Sequence, residues 1–541
     1  MNKNIIIYST IIALLLTLFS CSLDENPVDQ MPEEEAYKNS VLIYLNTVAN
    51  LYTEVGGTDG SQGLAGTDRG VYDLNTFTAD ETLLPTRGGD WFDGGLWQDM
   101  FKHNWSIDNS IIKGSWDYLY RVIGKSNQSL DKLNELIELD PENTLLPVYQ
   151  AEVKAFRAMY YYYLLDLYAR VPIVESSSVK ISDVKQSSRS EVFEFVVKEL
   201  EESIPYLVSA NSSKFGEYYG RMTKPVAYFL MAKLALNSQV YADNDWTDND
   251  GIPNGQANFT VDDTQMNAWE ATIAYCDKIT DLGYKLEPNF SANFSVTNEL
   301  SSENIFVIPM DPINYEARNM NLVRSRHYAH AKAFSQDGWN GASATKEALA
   351  IFRKDGVDPR TEMTYFMGKV YGPDGNPVLD EDVELEYKPD AIALDVSGIE
   401  EEKTAGARMA KYEFDTNAQS AGQLVRNDWV LFRYADILLM KSEALVRNGM
   451  NGDAELQKVR SRVGAPARAA TLNNILDERM LEFAWEGLRR QDLIRFGKFH
   501  QPITDRPVSA PFRTVFPIPA DVLSLNTNLS QNPGYQQTNQ N

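Results

Sequence analysis

The residues with the most distinctive chemistry lie together in one short segment of the chain. Two tryptophans, an arginine and two aspartates alternate there with four glycines, in the order Arg87, Gly88, Gly89, Asp90, Trp91, Phe92, Asp93, Gly94, Gly95, Leu96 and Trp97. Glycine lets a loop turn sharply and hold aromatic rings at the surface. Sugar rings lie with their C–H faces against tryptophan, while aspartate and arginine hydrogen-bond the hydroxyl groups. The composition therefore predicts a carbohydrate-binding loop.

The residues expected to contact the ligand are Arg69, Arg87, Asp90, Trp91 and Asp93. Asp80 and Glu81 flank this loop and are further candidates. Packing of Trp91 into the interior is the alternative to binding. Trp97 is the first of three aromatic residues at i, i+4 and i+8, so we expect it to pack in the core.

A second group of residues could suggest catalysis. Glu478, Glu482 and Glu486 recur at i, i+4 and i+8, so they would share one face of a helix, and paired carboxylates are the catalytic groups of glycosidases. However, the same region is rich in arginine: Arg433, Arg460, Arg479, Arg489 and Arg490. A helix rich in both residue types more often builds a structural ion-pair network, which is the role we predict here.

The remaining candidates for catalysis or metal binding are weak. His327 and His330 are spaced to share a metal ion, but the sequence offers no evident third ligand, and His103 and His500 are isolated. The sequence contains neither a glycine-rich phosphate loop nor a serine or cysteine nucleophile motif. We therefore expect no catalytic residues, no bound metal and no cofactor.

The N-terminus has the features of a lipoprotein signal peptide. A lysine precedes the apolar stretch from Ile5 to Phe19, which is shorter than the roughly 20 residues that span a bilayer. The stretch ends in Leu18-Phe19-Ser20-Cys21, which resembles the bacterial motif whose cysteine is acylated and becomes the new N-terminus. We expect a signal peptide at 1–20, lipidation of Cys21 and a polar tether at 21–31. An ordinary cleaved signal with a chance cysteine is the alternative.

The net charge and the composition limit the chemical class of the ligand. The net charge of −26 argues against a nucleic-acid partner, because such a surface repels phosphate backbones. Aromatic residues make up 11% of the chain and include nine tryptophans, which suits a neutral polar ligand that stacks on rings. The second cysteine, Cys276, lies in an apolar helical stripe and is expected to be a buried, unpaired thiol.

The elements that must position these residues are mostly helices. Helical periodicity predicts helices over 33–52, 147–168, 223–241, 264–282, 429–448 and 472–488. Ser188 and Glu191 form a capping box that opens a further helix. Helices that are neighbours in sequence are predicted to pair as degenerate repeats of the tetratricopeptide type. Long segments without clear periodicity lie between them, with a short strand predicted at 304–309.

Ordered motifs along the chain resemble those of one protein family. In the C-terminal part they are Phe432-Arg433-Tyr434-Ala435-Asp436, Glu486-Gly487-Leu488-Arg489-Arg490-Gln491-Asp492, Pro517-Ile518-Pro519 and Gln531-Asn532-Pro533-Gly534-Tyr535. In the N-terminal half they are Asp80-Glu81, Trp116 with Tyr120, Phe156-Arg157-Ala158 and Val171-Pro172. This series is similar to the SusD/RagB family of Bacteroidota outer-membrane lipoproteins, and the resemblance covers essentially the whole mature chain.

The resemblance implies a fold and an organisation. The expected fold is mainly α, a SusD-like scaffold of tetratricopeptide-like helical repeats with long irregular loops and a few short strands. After the signal peptide and tether, it implies an N-terminal SusD-like helical region at 32–290, which carries the glycan-loop insertion. A C-terminal RagB/SusD region at 291–541 follows. In this family the ligand loops lie before the helix of Trp116, in agreement with the position of the glycine-rich segment.

The family also places a ligand-contacting aromatic residue between its central strands and its later helices. Trp339, with Gly338 and Gly341 beside it, matches that position best. Asn340 and Tyr315 are the neighbouring candidates for ligand contact.

The function implied by the resemblance is binding without cleavage. The protein is expected to be lipid-anchored in the outer membrane and to face the cell exterior. There it would capture an oligo- or polysaccharide and deliver it to a SusC-like TonB-dependent transporter. A peptide-binding RagB-like lipoprotein and a helical interaction scaffold without a ligand are the alternatives. A lipoprotein glycoside hydrolase would require measurable turnover, which we do not expect.

Overall fold

The computed structural model describes residues 37–57, 62–65, 69–314 and 317–536. The predicted signal peptide, the tether, Cys21 and Tyr315 lie outside the described residues. Within those ranges, no helix combines the length and the apolar character needed to cross a membrane. The described residues from Thr47 onward form one compact unit, and those before Thr47 belong to another.

Helices dominate the described part of the chain, which confirms the predicted mainly α fold. Those of eight or more residues are α1 (Ser40–Thr47), α2 (Ser110–Leu139), α3 (Leu146–Tyr168), α4 (Arg189–Ser203), α5 (Lys224–Leu236), α6 (Ala268–Asp281), α7 (Lys346–Arg353), α8 (Tyr434–Arg447), α9 (Asp453–Arg462) and α10 (Leu472–Phe483). Shorter α-helices lie at Thr53–Gly56, Val71–Thr76, Leu96–Phe101, Ser238–Tyr241, Met320–Ser325, Tyr328–Ala333, Thr361–Thr364, Arg489–Arg495 and Ala520–Leu525.

Helices that are neighbours along the chain pack side by side. α2 packs against α3, and α3 packs against α4. Further along, α5 packs against α6 and α8 packs against α9, and α6 also packs against α8 although α7 lies between them in sequence. The packed faces are apolar and fully buried, as at Leu119 in α2, Ala155 and Ala158 in α3, and Val196 in α4. This succession of helix pairs is the tetratricopeptide-like scaffold that the sequence predicted.

Local sequence signals set the beginning of two helices. At α4, Ser188 Oγ accepts from Glu191 N, and the Glu191 carboxylate accepts from Ser188 N at 2.7 Å, so the predicted capping box is confirmed. Asn267 and Glu270 form a second capping box, which begins α6 at Ala268. The predicted helix start at residue 264 was therefore wrong, because 264–267 pair as a β-strand before this cap.

The strands are short and pair two by two in antiparallel fashion. The pairs are Thr82–Leu83 with Ser343–Ala344, Asn258–Val261 with Thr264–Asn267, Asn304–Ile308 with Trp429–Arg433, Tyr365–Phe366 with Arg408–Met409, Gly368–Lys369 with Glu386–Tyr387, and Leu379–Asp380 with Val383–Glu384. The strand at Asn304–Ile308 confirms the prediction made for 304–309.

The partner of that strand corrects one predicted helix. Trp429–Arg433 is a buried β-strand, so α8 begins at Tyr434 and not at residue 429. Its β-branched and aromatic side chains suit a buried strand, and pairing with a segment more than a hundred residues earlier overrides the local helical pattern.

Three other predicted helix boundaries also differ. α10 ends at Phe483 instead of continuing to residue 488, because Trp485 and Gly487 have φ values of 71° and 70°, outside the helical region. Asn237 separates α5 from the short helix that follows it, so the helix predicted over 223–241 is interrupted. The helix predicted over 33–52 ends at Thr47 in the described residues, and a 3₁₀ turn follows at Ala49–Tyr52.

Candidate functional site

Backbone pairing brings three distant segments together around the glycine-rich loop. The strand Thr82–Leu83, just before the loop, pairs with Ser343–Ala344, just after Trp339. Thr86 N donates to Leu394 O at 2.9 Å, and Val396 N donates to Thr86 O at 3.0 Å. Hydrogen bonds to these two segments therefore anchor the chain just before the glycines of the loop.

The loop itself reverses direction in a tight turn. Arg87 N donates to Asp90 O at 3.0 Å, and Asp90 N donates to Arg87 O at 2.9 Å. Gly88 occupies the turn with φ of 60°, a conformation that favours glycine. The turn leaves the Asp90 side chain exposed.

Trp91 and Trp339 lie side by side, although 248 residues separate them in sequence. The indole Nε1 of Trp91 donates to Trp339 O at 3.0 Å. The ring centroids are 6.4 Å apart and the ring planes are inclined by 39°. Both residues are half-buried, so each ring is packed on one part and exposed on another. We call this pair of rings the aromatic platform.

The ring of Trp91 is held firmly in this position. Its backbone has φ of 61°, which few residues other than glycine adopt and which persists only where the surroundings enforce it. Gly341 makes room for the ring, because a Cβ atom there would lie 2.8 Å from Trp91 Cε2. A platform fixed before binding loses less conformational entropy when a ligand arrives.

Polar groups border the platform. Asp93 Oδ2 accepts from Trp97 Nε1 at 2.8 Å and lies 3.0 Å from Arg69 Nη2, while the Arg69 and Asp93 side chains remain 43% and 33% exposed. Within the described residues, Asp93 Oδ1 and the Asp90 carboxylate have no hydrogen-bond partner in the protein. The two rings can stack on a sugar, and the two carboxylates and the guanidinium beside them can hydrogen-bond its hydroxyl groups.

Two other aromatic residues of the loop, Trp97 and Phe92, differ in their exposure to solvent. Trp97 is 1% exposed, as are the aromatic residues at its i+4 and i+8 positions, Phe101 and Trp105, so the predicted core role is confirmed. Phe92 is 50% exposed beside Trp91. Sequence reasoning missed Phe92, although its place in the glycine-rich run was the signal that pointed to it.

Arg87 lies beneath the loop and not at its surface. Its guanidinium donates from Nη1 to Glu402 O at 2.6 Å, and from Nη2 to Ser343 Oγ and Ala405 O at 3.0 and 2.8 Å. Arg87 is 5% exposed, and burial, together with nearby Arg408, lowers the pKa of Arg87 well below its usual value. This position does not support the prediction that Arg87 contacts a ligand; Arg87 instead fastens the loop to a distant segment.

Asn340 also has a supporting position. Its Nδ2 donates to Lys403 O at 2.9 Å, and its Oδ1 accepts from Arg408 Nη2 at 2.9 Å. Both ends of the amide are therefore used inside the protein. The predicted ligand contact by Asn340 is not supported, and the adjacent Trp339 is the residue that reaches the surface.

The acidic pair that was predicted to flank the loop is buried below it. The Asp80 carboxylate accepts two hydrogen bonds from Arg489, at 2.7 and 3.0 Å. Glu81 Oε2 accepts from Trp485 N at 3.3 Å, and burial raises the pKa of Glu81 to about 8. Neither carboxylate lies at the platform.

The glutamates of the C-terminal motif belong to a buried ion-pair network, as predicted. Among the described residues this network joins five carboxylates, Glu303, Asp358, Glu478, Glu482 and Glu486, to five cations, Arg360, Lys411, Arg433, Arg460 and Arg462. Each side chain is at most 8% exposed. Two details differ from the expectation. Glu486 lies beyond the end of α10 and reaches the network through a turn. Arg479, Arg489 and Arg490 pair with other buried carboxylates, which are Asp436 and Asp492, Asp80, and Asp166, respectively.

His103, His327, His330 and Cys276 are likewise in the interior. Burial lowers the pKa of both His327 and His330 to about 3. In the described ranges, no cluster of three or more histidine, cysteine, aspartate or glutamate residues is arranged to hold a metal ion. Within the part of the chain that the structure describes, Cys276 is a buried free thiol, as predicted.

A helical-repeat scaffold that presents two adjacent tryptophan rings beside carboxylates has the construction of a ligand-binding protein. Comparison with known protein families identifies the class to which it belongs. The model of the SusD family matches residues 302–535, and a model described as starch-binding and associating with the outer membrane matches residues 76–236. Together the two ranges cover most of the chain, which belongs to the SusD/RagB family.

Individual relatives are distant but span nearly the full length. Starch-binding protein SusD of Bacteroides thetaiotaomicron is 25% identical over 95% of this chain and 95% of its own. SusD-like protein P25 of Formosa agariphila is 23% identical over 99% of each chain.

Solved structures share the fold. A laminarin-binding SusD-like protein is 23% identical and superimposes with a TM-score of 0.70, over 92% of this chain and 100% of its own. Surface glycan-binding protein A from Bacteroides thetaiotaomicron, in complex with laminarihexaose, is 21% identical with a TM-score of 0.69, over 91% and 99%. At this level of identity the likeness confirms the SusD-like fold.

Proposed function

We propose that this protein is a cell-surface glycan-binding lipoprotein that captures an oligo- or polysaccharide. It holds the glycan without cleaving it and delivers it to a SusC-like TonB-dependent transporter in the outer membrane. The observation that carries the proposal is the aromatic platform, in which the ring centroids of Trp91 and Trp339 lie 6.4 Å apart and the ring planes are inclined by 39°.

The geometry of the platform suits a sugar chain. Two inclined rings offer successive C–H stacking surfaces to a ligand that bends across them. Asp90, Asp93 and Arg69 at the border supply acceptors and donors for hydroxyl groups, and Phe92 extends the apolar surface. A few placed polar groups beside a largely apolar surface are typical of ligand sites.

The relatives support the same ligand class. One is named as a starch-binding protein, one solved structure as laminarin-binding, and another was solved with laminarihexaose bound. These names establish what those proteins bind, and the shared fold makes a glycan the first ligand to test for this chain.

Membrane anchoring and the transporter partner rest on the sequence and the family. The proposed anchor is a lipid on Cys21, which would hold the protein in the outer membrane with the platform facing the cell exterior. One matching family model is described as associating with the outer membrane, which supports this location.

The decisive variant removes both rings of the platform. We expect the lipid-free protein to be retarded in native gels that contain its polysaccharide, in a panel that includes starch, laminarin, xylan and mannan. Trp91→Ala with Trp339→Ala should abolish this retardation. The matched control is Trp269→Ala, which removes a half-buried tryptophan at a different place on the surface.

Three results of the gel experiment would contradict the proposal or its controls. Retardation that the double variant retains would refute the site, and retardation that Trp269→Ala also removes would point to a general loss of structure. Absence of retardation by any polysaccharide of the panel would refute glycan binding and favour a peptide ligand or a scaffold role.

A further inference from the structure

A second surface with binding character lies outside the aromatic platform. It is a groove of about 540 Å³, within the range of about 300–1,000 Å³ that is usual for ligand sites. Its walls come from the loop of Phe215 and Tyr219, from the segment after the strand Asn304–Ile308, and from the loop of Asn417 and Gln419. Phe215 is 72% exposed and Ile313, on the opposite wall, is 79% exposed. Large exposed apolar side chains grouped in one groove usually mark an interaction site.

The aromatic residues of the groove are arranged as a platform of their own. The rings of Phe215 and Tyr219 have centroids 5.0 Å apart and are inclined by 68°. The Tyr219 hydroxyl donates to Asp428 Oδ2, while Asp428 Oδ1 accepts from Met310 N at 3.0 Å. The tyrosine ring is thereby fixed, and the phenylalanine ring stands beside it in solvent.

The polar side chains that line the groove offer both donors and acceptors, a mixture that suits hydroxyl groups: Thr297, Glu299, Asp311, Asn417, Gln419 and Arg426. The side-chain amides of Asn417 and Gln419 are exposed and, within the described residues, form no hydrogen bond to the protein. Arg426 is held by the buried carboxylate of Asp415, which its Nη2 contacts at 2.6 Å. Amides that both donate and accept, next to aromatic rings, recognise a neutral polyhydroxyl ligand.

The groove is connected to the aromatic platform through one hairpin. Gln419 and Leu424 exchange backbone hydrogen bonds at its base, and Asp337 N donates to Ala421 O at its tip, at 2.7 Å. Asp337 is two residues from Trp339, and Ala421 is two residues from Gln419. Chain geometry therefore limits the distance between the Cα atoms of Trp339 and Gln419 to about 22 Å. One oligosaccharide can reach across that span.

We propose that this groove is a second glycan subsite, which takes the continuation of a chain bound on the aromatic platform. The inference rests on the proposed function and adds a prediction about ligand length. Short oligosaccharides occupy the platform alone, while longer ones cross the hairpin and stack on Phe215. Longer chains should therefore bind more tightly.

The test is calorimetric titration of the whole lipid-free protein with a trisaccharide and a decasaccharide. Both are prepared from the panel polysaccharide that retards the wild-type protein most strongly. We expect the decasaccharide to bind about tenfold more tightly than the trisaccharide. Phe215→Ala should remove that gain and leave trisaccharide affinity unchanged. Leu139→Ala, which removes an apolar side chain that is 73% exposed elsewhere, is the matched control and should change neither affinity.

The results separate the two proposals. Equal decasaccharide affinity for the wild type and Phe215→Ala would overturn the second subsite, leave the platform intact, and assign the groove to a different occupant such as a protein. Loss of trisaccharide binding in Phe215→Ala would also overturn it, because the groove would then not be a separate subsite. If no polysaccharide of the panel binds the wild type, the proposed function falls and the subsite falls with it.

Discussion

Replacing Glu482 by glutamine tests whether the buried ion-pair network stabilises the scaffold as a charge-balanced unit. Glu482 Oε1 accepts from Arg433 Nη1 at 2.5 Å and also from Arg462, and Oε2 accepts from Arg360 Nη1 at 2.9 Å. Although burial opposes ionisation, these three arginines hold the pKa of Glu482 well below its usual value. Glutamine has nearly the same shape, but it removes one negative charge and turns an N–H₂ group toward an arginine donor on one side.

The magnitude follows from the burial and the number of partners. Removing one partner of a buried pair costs about 3–5 kcal/mol, because the other charge is left uncompensated. The unfolding entropy of a unit of this size, about 2.1 cal/mol/K per residue, comes to about 1 kcal/mol/K, so the Tm of Glu482→Gln should fall by about 3–5 °C.

Differential scanning calorimetry at neutral pH measures this change. The control is Glu135→Gln, which removes a carboxylate that is 56% exposed in an i,i+3 pair with Lys132. An exposed pair contributes about 0–1 kcal/mol, so the control should shift Tm by less than about 1 °C. If the Tm of Glu482→Gln equalled that of the control, the buried network would not stabilise the fold as a charge-balanced unit.

Two further substitutions test the fixed position of the Trp91 ring and the raised pKa of Asp428. Gly341→Ala places a methyl group where a Cβ would lie 2.8 Å from Trp91 Cε2; displacement of the ring should weaken glycan binding about tenfold in titrations, and unchanged affinity would contradict a fixed platform. Burial raises the pKa of Asp428 from its ordinary value of 3.8 to about 7. The folded protein therefore binds this proton more tightly than the unfolded chain, and Asp428 stabilises the fold at low pH and loses that contribution as the pH rises through about 7. Denaturation midpoints should show Asp428→Asn gaining stability relative to wild type between pH 4.5 and 7.5, and a constant difference would refute the assigned pKa.

Local signals in the sequence predicted much of the helical scaffold. The capping box of Ser188 and Glu191 and the apolar stripe that follows it depend only on neighbouring residues, so they identify α4 without tertiary information. The strand Trp429–Arg433 could not be found in this way, because its hydrogen-bond partner lies in Asn304–Ile308. A long-range pairing of this kind leaves no mark on local periodicity.

The candidate site likewise has features that local sequence predicts and features that depend on long-range contacts. Residue types and glycine spacing were sufficient to locate the loop and to assign Trp97 to the core, but they left open whether Trp91 packs inward or binds. They could not distinguish an arginine at the surface from one below it. Arg87 is buried because carbonyl groups 315 and 318 residues away accept its hydrogen bonds, and only the folded chain brings those groups to it.

The proposed binding of a glycan by Trp91 and Trp339 as a pair is measured most directly by isothermal titration. The trisaccharide from the retarding polysaccharide is titrated into the wild type, Trp91→Ala, Trp339→Ala and the double variant. We expect weakened binding in each single variant and no detectable heat in the double variant, with the Tm of the double variant close to that of Trp269→Ala. Affinity in the double variant equal to that of the wild type would show that Trp91 and Trp339 do not bind the glycan.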